Sequence, residues 1–347
     1  MKTIEIDNII YKKLSEILTI KNGKDYKSHS KGNVPVYGSG GIISYIDTAV
    51  YDKPSVLIPR KGSLDKLYFV DTPFWNVDTI FYTEINTELV EPRYLYHYLK
   101  QAHLEKLNKA GGVPSLTQAV LNNLTIPLPP LPIQQEIVRI LDTFTNLTAE
   151  LTAELTARRK QYEYYRDELL TFGEDVSRVQ LGLVCDFKYG KGNNIPNETG
   201  EYPVYGCNGI VSTTNTFNSE DAPIIGHIGS AGVVNWGKGK HFVTYNGTIC
   251  RVKADKIRSR YAYYVLNSLH LERFVKGSQP FLSYGDFSKV LIPLPPIERQ
   301  DEIVRILDQF DYFCNDLTSG IPAEISARQK QYEYYRDKLL TFKENMS

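Results

Sequence analysis

The chain states one block of sequence twice. Ile126-Pro-Leu-Pro-Pro-Leu-Pro-Ile-Gln-Gln-Glu-Ile-Val-Arg-Ile-Leu-Asp142 returns as Ile292-Pro-Leu-Pro-Pro-Ile-Glu-Arg-Gln-Asp-Glu-Ile-Val-Arg-Ile-Leu-Asp308, identical at 13 of 17 positions. Residues 157–172 return at 327–342, identical at 14 of 16. A duplicated block implies two like structural units. Such units can be related by a pseudo-twofold axis, as in a symmetric dimer, and can offer one kind of partner two equivalent docking sites.

The rest of each half repeats only as a skeleton. Val34-Pro-Val-Tyr-Gly-Ser-Gly-Gly-Ile42 aligns with Tyr202-Pro-Val-Tyr-Gly-Cys-Asn-Gly-Ile210, Gly23-Lys24 with Gly190-Lys191, Tyr94–Leu99 with Tyr261–Leu266, and Pro114–Thr117 with Pro280–Ser283, at offsets of 166 to 168 residues. The layout alternates variable and near-identical stretches: a domain at 1–125, a helix at 126–172, a domain at 173–291 and a helix at 292–347. A common scaffold with divergent content suggests two modules doing one job on different targets. Old duplication followed by drift is the plainer account, but drift alone would have touched the helices too.

A chain of 347 residues, 42% hydrophobic and 12% aromatic, supports two to three folded domains. No apolar run approaches the ~20 residues of a membrane helix. Met1–Asp7 is too polar for a secretion signal, so the expected location is cytoplasmic. Cys185, Cys207, Cys250 and Cys314 form no Cys-x-x-Cys pair, so all four are expected to pack as small apolar residues, with no metal site. Net charge is zero, but residues 1–125 carry 15 Lys+Arg against 13 Asp+Glu and residues 173–291 carry 13 against 10. The helical stretches carry 5 against 7 and 7 against 10. Mildly basic domains and mildly acidic helices permit nucleic-acid binding by the domains; scattered surface charge gives the same balance.

After each Pro-rich lead-in, apolar residues recur at steps of three and four. Ile133, Ile137, Ile140, Phe144, Leu147, Leu151, Leu155, Tyr162, Tyr165, Leu169 and Phe172 mark the first seam. This is a coiled-coil signal with a stutter at the extra four. A helix of about 40 residues is roughly 60 Å long, and its natural partner is the other copy, run antiparallel. The tandem Leu-Thr-Ala-Glu tract at 147–155 has no regular counterpart, and Gly320 and Pro322 are expected to kink or interrupt the second helix. One four-residue unit changes helix length by ~6 Å, on the order of two base pairs of duplex. A ruler and a simple length polymorphism both fit this tract. Tyr162, Tyr164, Tyr165 and Arg166, repeated as Tyr332, Tyr334, Tyr335 and Arg336, cover more of the helix than one seam needs. They either dock a partner protein or pack on their own domains.

These motifs together resemble the specificity subunit of type I restriction-modification enzymes over essentially the whole chain. The resemblance rests on Ile-Pro-Leu-Pro-Pro-x4-Glu-Ile-Val-Arg-Ile-Leu-Asp, on Arg-x-Lys-Gln-Tyr-Glu-Tyr-Tyr-Arg-Asp-x-Leu-Leu-Thr-Phe, and on Pro-Val-Tyr-Gly in each domain. It implies an α+β fold of two target-recognition domains joined by two long helices in an antiparallel coiled coil. Each domain would read half of a split site in double-stranded DNA. The chain would be non-catalytic, docking two modification (methyltransferase) subunits, with restriction subunits joining the full complex. S-adenosylmethionine, ATP and Mg2+ would belong to those partners.

No phosphate loop, His-Glu-x-x-His or Gly-x-Ser-x-Gly motif is present, and Gly226, Gly229 and Gly232 read as a turn rather than a dinucleotide loop. DNA contact is then expected from polar loop residues. These are Lys24, Lys27, His29, Ser39, Arg60, Lys61, Ser63 and Asn76 in the first domain. In the second they are Lys191, Asn193, Asn194, Asn208, His227, Ser230, Lys238, Lys240 and Asn246. Arg60 suits guanine and the asparagines suit adenine edges, while lysines suit phosphates. For any one of them taken singly, a solvated loop residue is the plainer reading. Strands are expected at 34–37, 56–58, 66–70, 79–83, 222–225, 232–235 and 248–252, and helices at 93–109 and 258–274. Two other readings remain: a coiled-coil adaptor that never touches DNA, and an enzyme housed in the domains.

Overall fold

The computed structural model describes residues 9–107, 115–192, 199–315 and 319–342. It resolves into two compact units that cut across the repeat: Met1–Leu151 with Ile325–Ser347, and Thr152–Glu324. Each unit therefore holds one globular domain, part of one repeated helix and part of the other.

In the first unit the Pro-rich lead-in is strand before it is helix. Thr125–Leu128 pairs antiparallel with Ile10–Lys13, and the 39-residue helix Leu131–Leu169 starts only after Pro129 and Pro130. Helix at 126 was expected; an edge position suits Pro127, which has no N–H to give to a ladder. A four-stranded sheet runs in the order Leu18–Lys21, Ile80–Ile85, Ser55–Pro59, Tyr68–Val70. A three-stranded sheet places Lys31–Gly38 between Gly41–Ile46 and the parallel Trp75–Asn76. The helix Pro92–Gln101 buries Tyr94, Leu95 and Leu99 in a core shared with Ile137, Leu141, Tyr332 and Leu340. The expected helix at 93–109 is thus shorter. His103 turns left-handed (φ 51°), a 3-10 turn follows at Leu104–Leu107, and Lys109 lies outside the described residues.

The second unit repeats this plan with a more continuous sheet. Six strands run in the order Cys185–Tyr189, Gly247–Val252, Ser219–Gly226, Val234–Val243, Tyr202–Gly206, Gly209–Thr214. Arg178–Gln180 pairs with Leu291–Pro293, as Ile10–Lys13 does with its own lead-in. The expected strand at 232–235 begins at Val234 and runs ten residues, because Gly232 (φ 93°) and Gly226 close a turn with paired backbone bonds. The helix expected at 258–274 ends at Ser268, again before a left-handed histidine, His270 (φ 49°). Cys185, Cys250 and Cys314 are buried and free, as small apolar residues would be, whereas Cys207 is half-buried at a hairpin turn.

The second repeated helix is two: Ile297–Asn315 and Ile321–Leu340. Gly320 supplies the carbonyl that Ala323 and Glu324 bind, so Pro322 falls in the first turn of a new helix, where its missing N–H costs nothing. Along Leu131–Leu169 the threonines return their hydroxyls to the carbonyl four residues back, as Thr143 does to Arg139 and Thr145 to Leu141, which lets them sit in a helix interior. No helix among the described residues is long and apolar enough to cross a membrane.

Candidate nucleic-acid interface

In the first unit the polar loop residues converge because five chain turns share backbone bonds. Thr79 is their hub. Its carbonyl accepts from Arg60 N (2.9 Å) and Lys61 N (3.3 Å), and its hydroxyl accepts from Ser39 N (3.3 Å). Arg60 O accepts from Leu116 N, which brings in the turn at Ser115. Lys24 N binds Asn76 O, and Lys24 O accepts from the Trp75 indole at 3.0 Å. Gly23 has to be glycine, since a Cβ there would meet Val77 O at 2.0 Å. Gly62 takes φ 81°, and a Cβ on it would lie 3.3 Å from Ser39 Oγ.

The second unit builds the same cluster. Lys191 N binds Val243 O, Leu282 N binds His227 O, and Thr244 N binds Tyr205 O. A Cβ on Gly190 would meet Thr244 O at 2.1 Å; one on Gly229, also at φ 81°, would lie 3.3 Å from Cys207 Sγ. The main backbone bonds are matched, His227 N to Asn246 O standing for Arg60 N to Thr79 O, but the side chains are not. Arg60 faces His227 across the alignment, Lys61 faces Ile228, Ser39 faces Cys207, Thr79 faces Asn246 and Ser115 faces Phe281. One frame thus presents two different chemistries.

Exposure sorts the sequence-derived candidates. Lys24, Lys27, Lys61, Lys191, Asn208, Lys238, Lys240 and Asn246 are exposed, and His29, Ser39, Arg60, Ser63 and Ser230 are half-buried. Asn193 and Asn194 lie outside the described residues. Two candidates are corrected. Asn76 is fully buried, its Nδ2 donating to Ile80 O at 2.7 Å, so it shapes the turn rather than facing a ligand. His227 is also fully buried, bonded through Nδ1 to Thr248 Oγ1 (3.1 Å) and ringed by Tyr189, Tyr245 and Phe281. Burial lowers its pKa to about 4, so it is neutral near pH 7. Lys238 and Lys240 are not part of the loop cluster. They flank Gly239, whose N–H is held by Asp221, and Lys240 lies over the Phe217 ring.

The cations divide by partner. Arg93, Arg258 and Arg260 are tied to Asp142, Asp301 and Asp308 on the repeated helices. Among the described residues Lys24, Arg60, Lys61 and Lys191 make no ion pair; Arg60 rests over Phe81 at 5.9 Å. Loop cations without carboxylates leave positive charge for a polyanion. Among the described residues no group of three His, Cys, Asp or Glu could hold a metal ion.

The helix tyrosines separate three ways. Tyr162 and Tyr332 pack into their own units, beside Arg166 and Arg336, and burial pushes both hydroxyls up. Of the two roles the sequence left open, these two take packing rather than docking: Tyr332 is buried in its core and Tyr162 lies half-buried against its own. Tyr165 stacks on Phe310 at 5.4 Å and Tyr335 on Phe144 at 5.3 Å, joining the two helical segments within each unit. Tyr164 and Tyr334 remain 64% and 60% exposed, and these are the ones left for a partner. Sequence reasoning missed Thr79 and the exposed Ile42, Ile43, Ile210 and Val211. Thr79 acts as a brace between turns, through its carbonyl and its hydroxyl together, which no side-chain pattern announces.

A family model described as type I restriction modification DNA specificity domain matches residues 7–158 and again 173–327. The chain is 31% identical to a Haemophilus influenzae protein named as a type I restriction enzyme specificity subunit, over 98% of this chain and 97% of that one. It is 32% identical to the Escherichia coli EcoR124I/EcoR124II specificity subunit over 72% of this chain and 70% of the other. The crystal structure of the S subunit of a type I restriction-modification system from M. genitalium shares the fold, with a TM-score of 0.72 at 20% identity over 98% of each chain.

Proposed function

This chain belongs to the type I restriction-modification DNA specificity family, and from that premise we propose that it selects the DNA sequence on which a type I complex acts. The observation that carries the reading is the duplicated loop frame with divergent side chains. A split site needs two readers of like geometry and unlike chemistry, and Lys61/Ile228 and Thr79/Asn246 supply the difference on one backbone, with Arg60 present in the first unit alone because its counterpart His227 is buried. Arg60 donates to a guanine edge, while Asn208 and Asn246 offer amides to adenine edges. Lys24, Lys61 and Lys191 hold phosphates.

The chain contributes recognition and no chemistry. It assembles with other subunits, in this reading two modification subunits and, in the full complex, restriction subunits. S-adenosylmethionine, ATP and Mg2+ are assigned to those partners. The repeated helices serve as an antiparallel spacer and as docking surface, with Tyr164 and Tyr334 as equivalent contacts.

The test is co-expression with the cognate modification subunit, followed by single-molecule mapping of methylated bases. A two-part motif with a fixed gap is expected. One added Leu-Thr-Ala-Glu unit at 147–155 should widen that gap by about two base pairs, the rise of four helical residues. Assembly without any split motif would favour a coiled-coil adaptor instead.

A further inference from the structure

The hairpins that border the two loop clusters share a feature that polar base reading does not require. In each, two consecutive apolar residues follow the turn and stay in solvent: Ile42 (48% exposed) and Ile43 (51%), then Ile210 (62%) and Val211 (46%). A regular strand would turn one of each pair inward. A bulge prevents it. Tyr37 pairs with Ile42 and Val36 with Ser44, which leaves Ile43 as the extra residue. Tyr205 pairs with Ile210 and Val204 with Ser212, which leaves Val211. Bulges re-aim a side chain and are kept for that purpose. Glycine makes room behind the second, where a Cβ on Gly206 would lie only 3.1 Å from Val211; a Cβ on Gly38 would stand at an ordinary 3.5 Å from Ile43.

Both strands are sheet edges, where exposed apolar residues invite unwanted pairing. The chain nevertheless carries them twice, at the same bulge, while the polar residues around them diverge. What the pair meets must then be common to both half-sites. Base edges differ between half-sites, but the apolar faces of stacked bases do not.

Resting on the recognition reading above, we propose that Ile42–Ile43 and Ile210–Val211 are apolar wedges that press into the base stack of the duplex, one at each half-site. The hairpin turn places each wedge beside a loop that the cluster already aims at DNA. Ser39 abuts Gly62, next to Lys61 and Arg60; Cys207 abuts Gly229, and Asn208 stands exposed at the same turn. Cations grip phosphate on the flanks while the aliphatic tip enters between bases, as in proteins that kink DNA through inserted Ile, Leu or Phe.

The experiment uses the complex with its modification subunits and duplexes carrying 2-aminopurine at successive positions of either half-site. Ile42→Ser with Ile43→Ser should abolish the fluorescence rise within the first half-site only. Ile210→Ser with Val211→Ser should do so within the second only. Each should weaken cognate binding on the order of tenfold. Unaltered fluorescence and affinity in both variants would overturn the wedge. So would loss of subunit co-purification, which would make the hairpins protein-docking elements. If the unaltered complex binds no sequence selectively, the recognition reading fails first, an outcome separate from either.

Discussion

Gln134 makes three hydrogen bonds that Gln300 repeats bond for bond. The first accepts from Glu91 N (2.8 Å) and donates to Leu89 O (3.0 Å) and Pro129 O (2.8 Å). The second accepts from Arg258 N (2.8 Å) and donates to Lys256 O (3.1 Å) and Pro295 O (2.8 Å). Both side chains are fully buried. Each one cements the start of a repeated helix to the chain entering the domain's own helix, Pro92–Gln101 or Ser259–Ser268. Alanine at either position leaves buried backbone groups without partners, and should cost roughly 2–4 kcal/mol. Urea unfolding of the two single variants should give similar losses; a change under 0.5 kcal/mol would rule out this role.

Arg260 is held more tightly than its counterpart Arg93. Its guanidinium lies within 5.0 Å of the Trp236, Tyr263 and Tyr264 ring centres and pairs with both Asp308 and Asp311. Arg93 has Asp142 and the Phe69 ring. Arg260→Ala should destabilise by about 2–3 kcal/mol, discounted because Asp308 is part-exposed, and Arg93→Ala by less. Paired denaturation curves decide the order.

Arg60→Ala should relax selectivity at one position of the first half-site, by about 1–3 kcal/mol, and leave the second half-site untouched. Methylome mapping of the variant reads this directly. Unchanged preference would reduce Arg60 to a packing residue over Phe81.

Tyr164→Ala and Tyr334→Ala should leave unfolding within about 0.5 kcal/mol, since both rings stand in solvent. They should weaken retention of modification subunits on a tagged chain. Tyr332→Ala, which empties a core position, should instead cost about 3 kcal/mol or more. If Tyr164→Ala and Tyr334→Ala both assemble normally, the exposed tyrosines are not the docking contacts.

His227 gives the second unit an acid dependence. Its folded pKa, lowered by burial to about 4, lies below the ordinary 6.5, so between these values the unfolded chain binds the extra proton. Its stabilising share is complete above pH 6.5 and is lost as pH falls through 4. Asp142 adds a second slope at lower pH. Burial raises its pKa, but hydrogen bonds from His97 and Arg93 outweigh that and hold it below the usual carboxylate value. Urea midpoints measured from pH 7 to 4 should fall, and less steeply in His227→Gln. An equal slope in that variant would show that another group carries the dependence.

The duplication, the order of domains and helices, and the family were legible in the sequence because they are carried by identity and spacing. Gly23, Gly62, Gly190 and Gly229 were visible as letters, but only the fold shows the carbonyls and side chains they make room for. Asn76 and Tyr332 read as surface chemistry and prove to be buried, while no sequence pattern marked Ile42 and Ile43, which stand exposed. The difference has one physical source. Helical and strand periods follow from local geometry, which each residue reports for itself. Burial depends on what the rest of the chain brings alongside: a bulge one residue long reverses it for Ile43, and a helix returning from residue 325 onward imposes it on Tyr332.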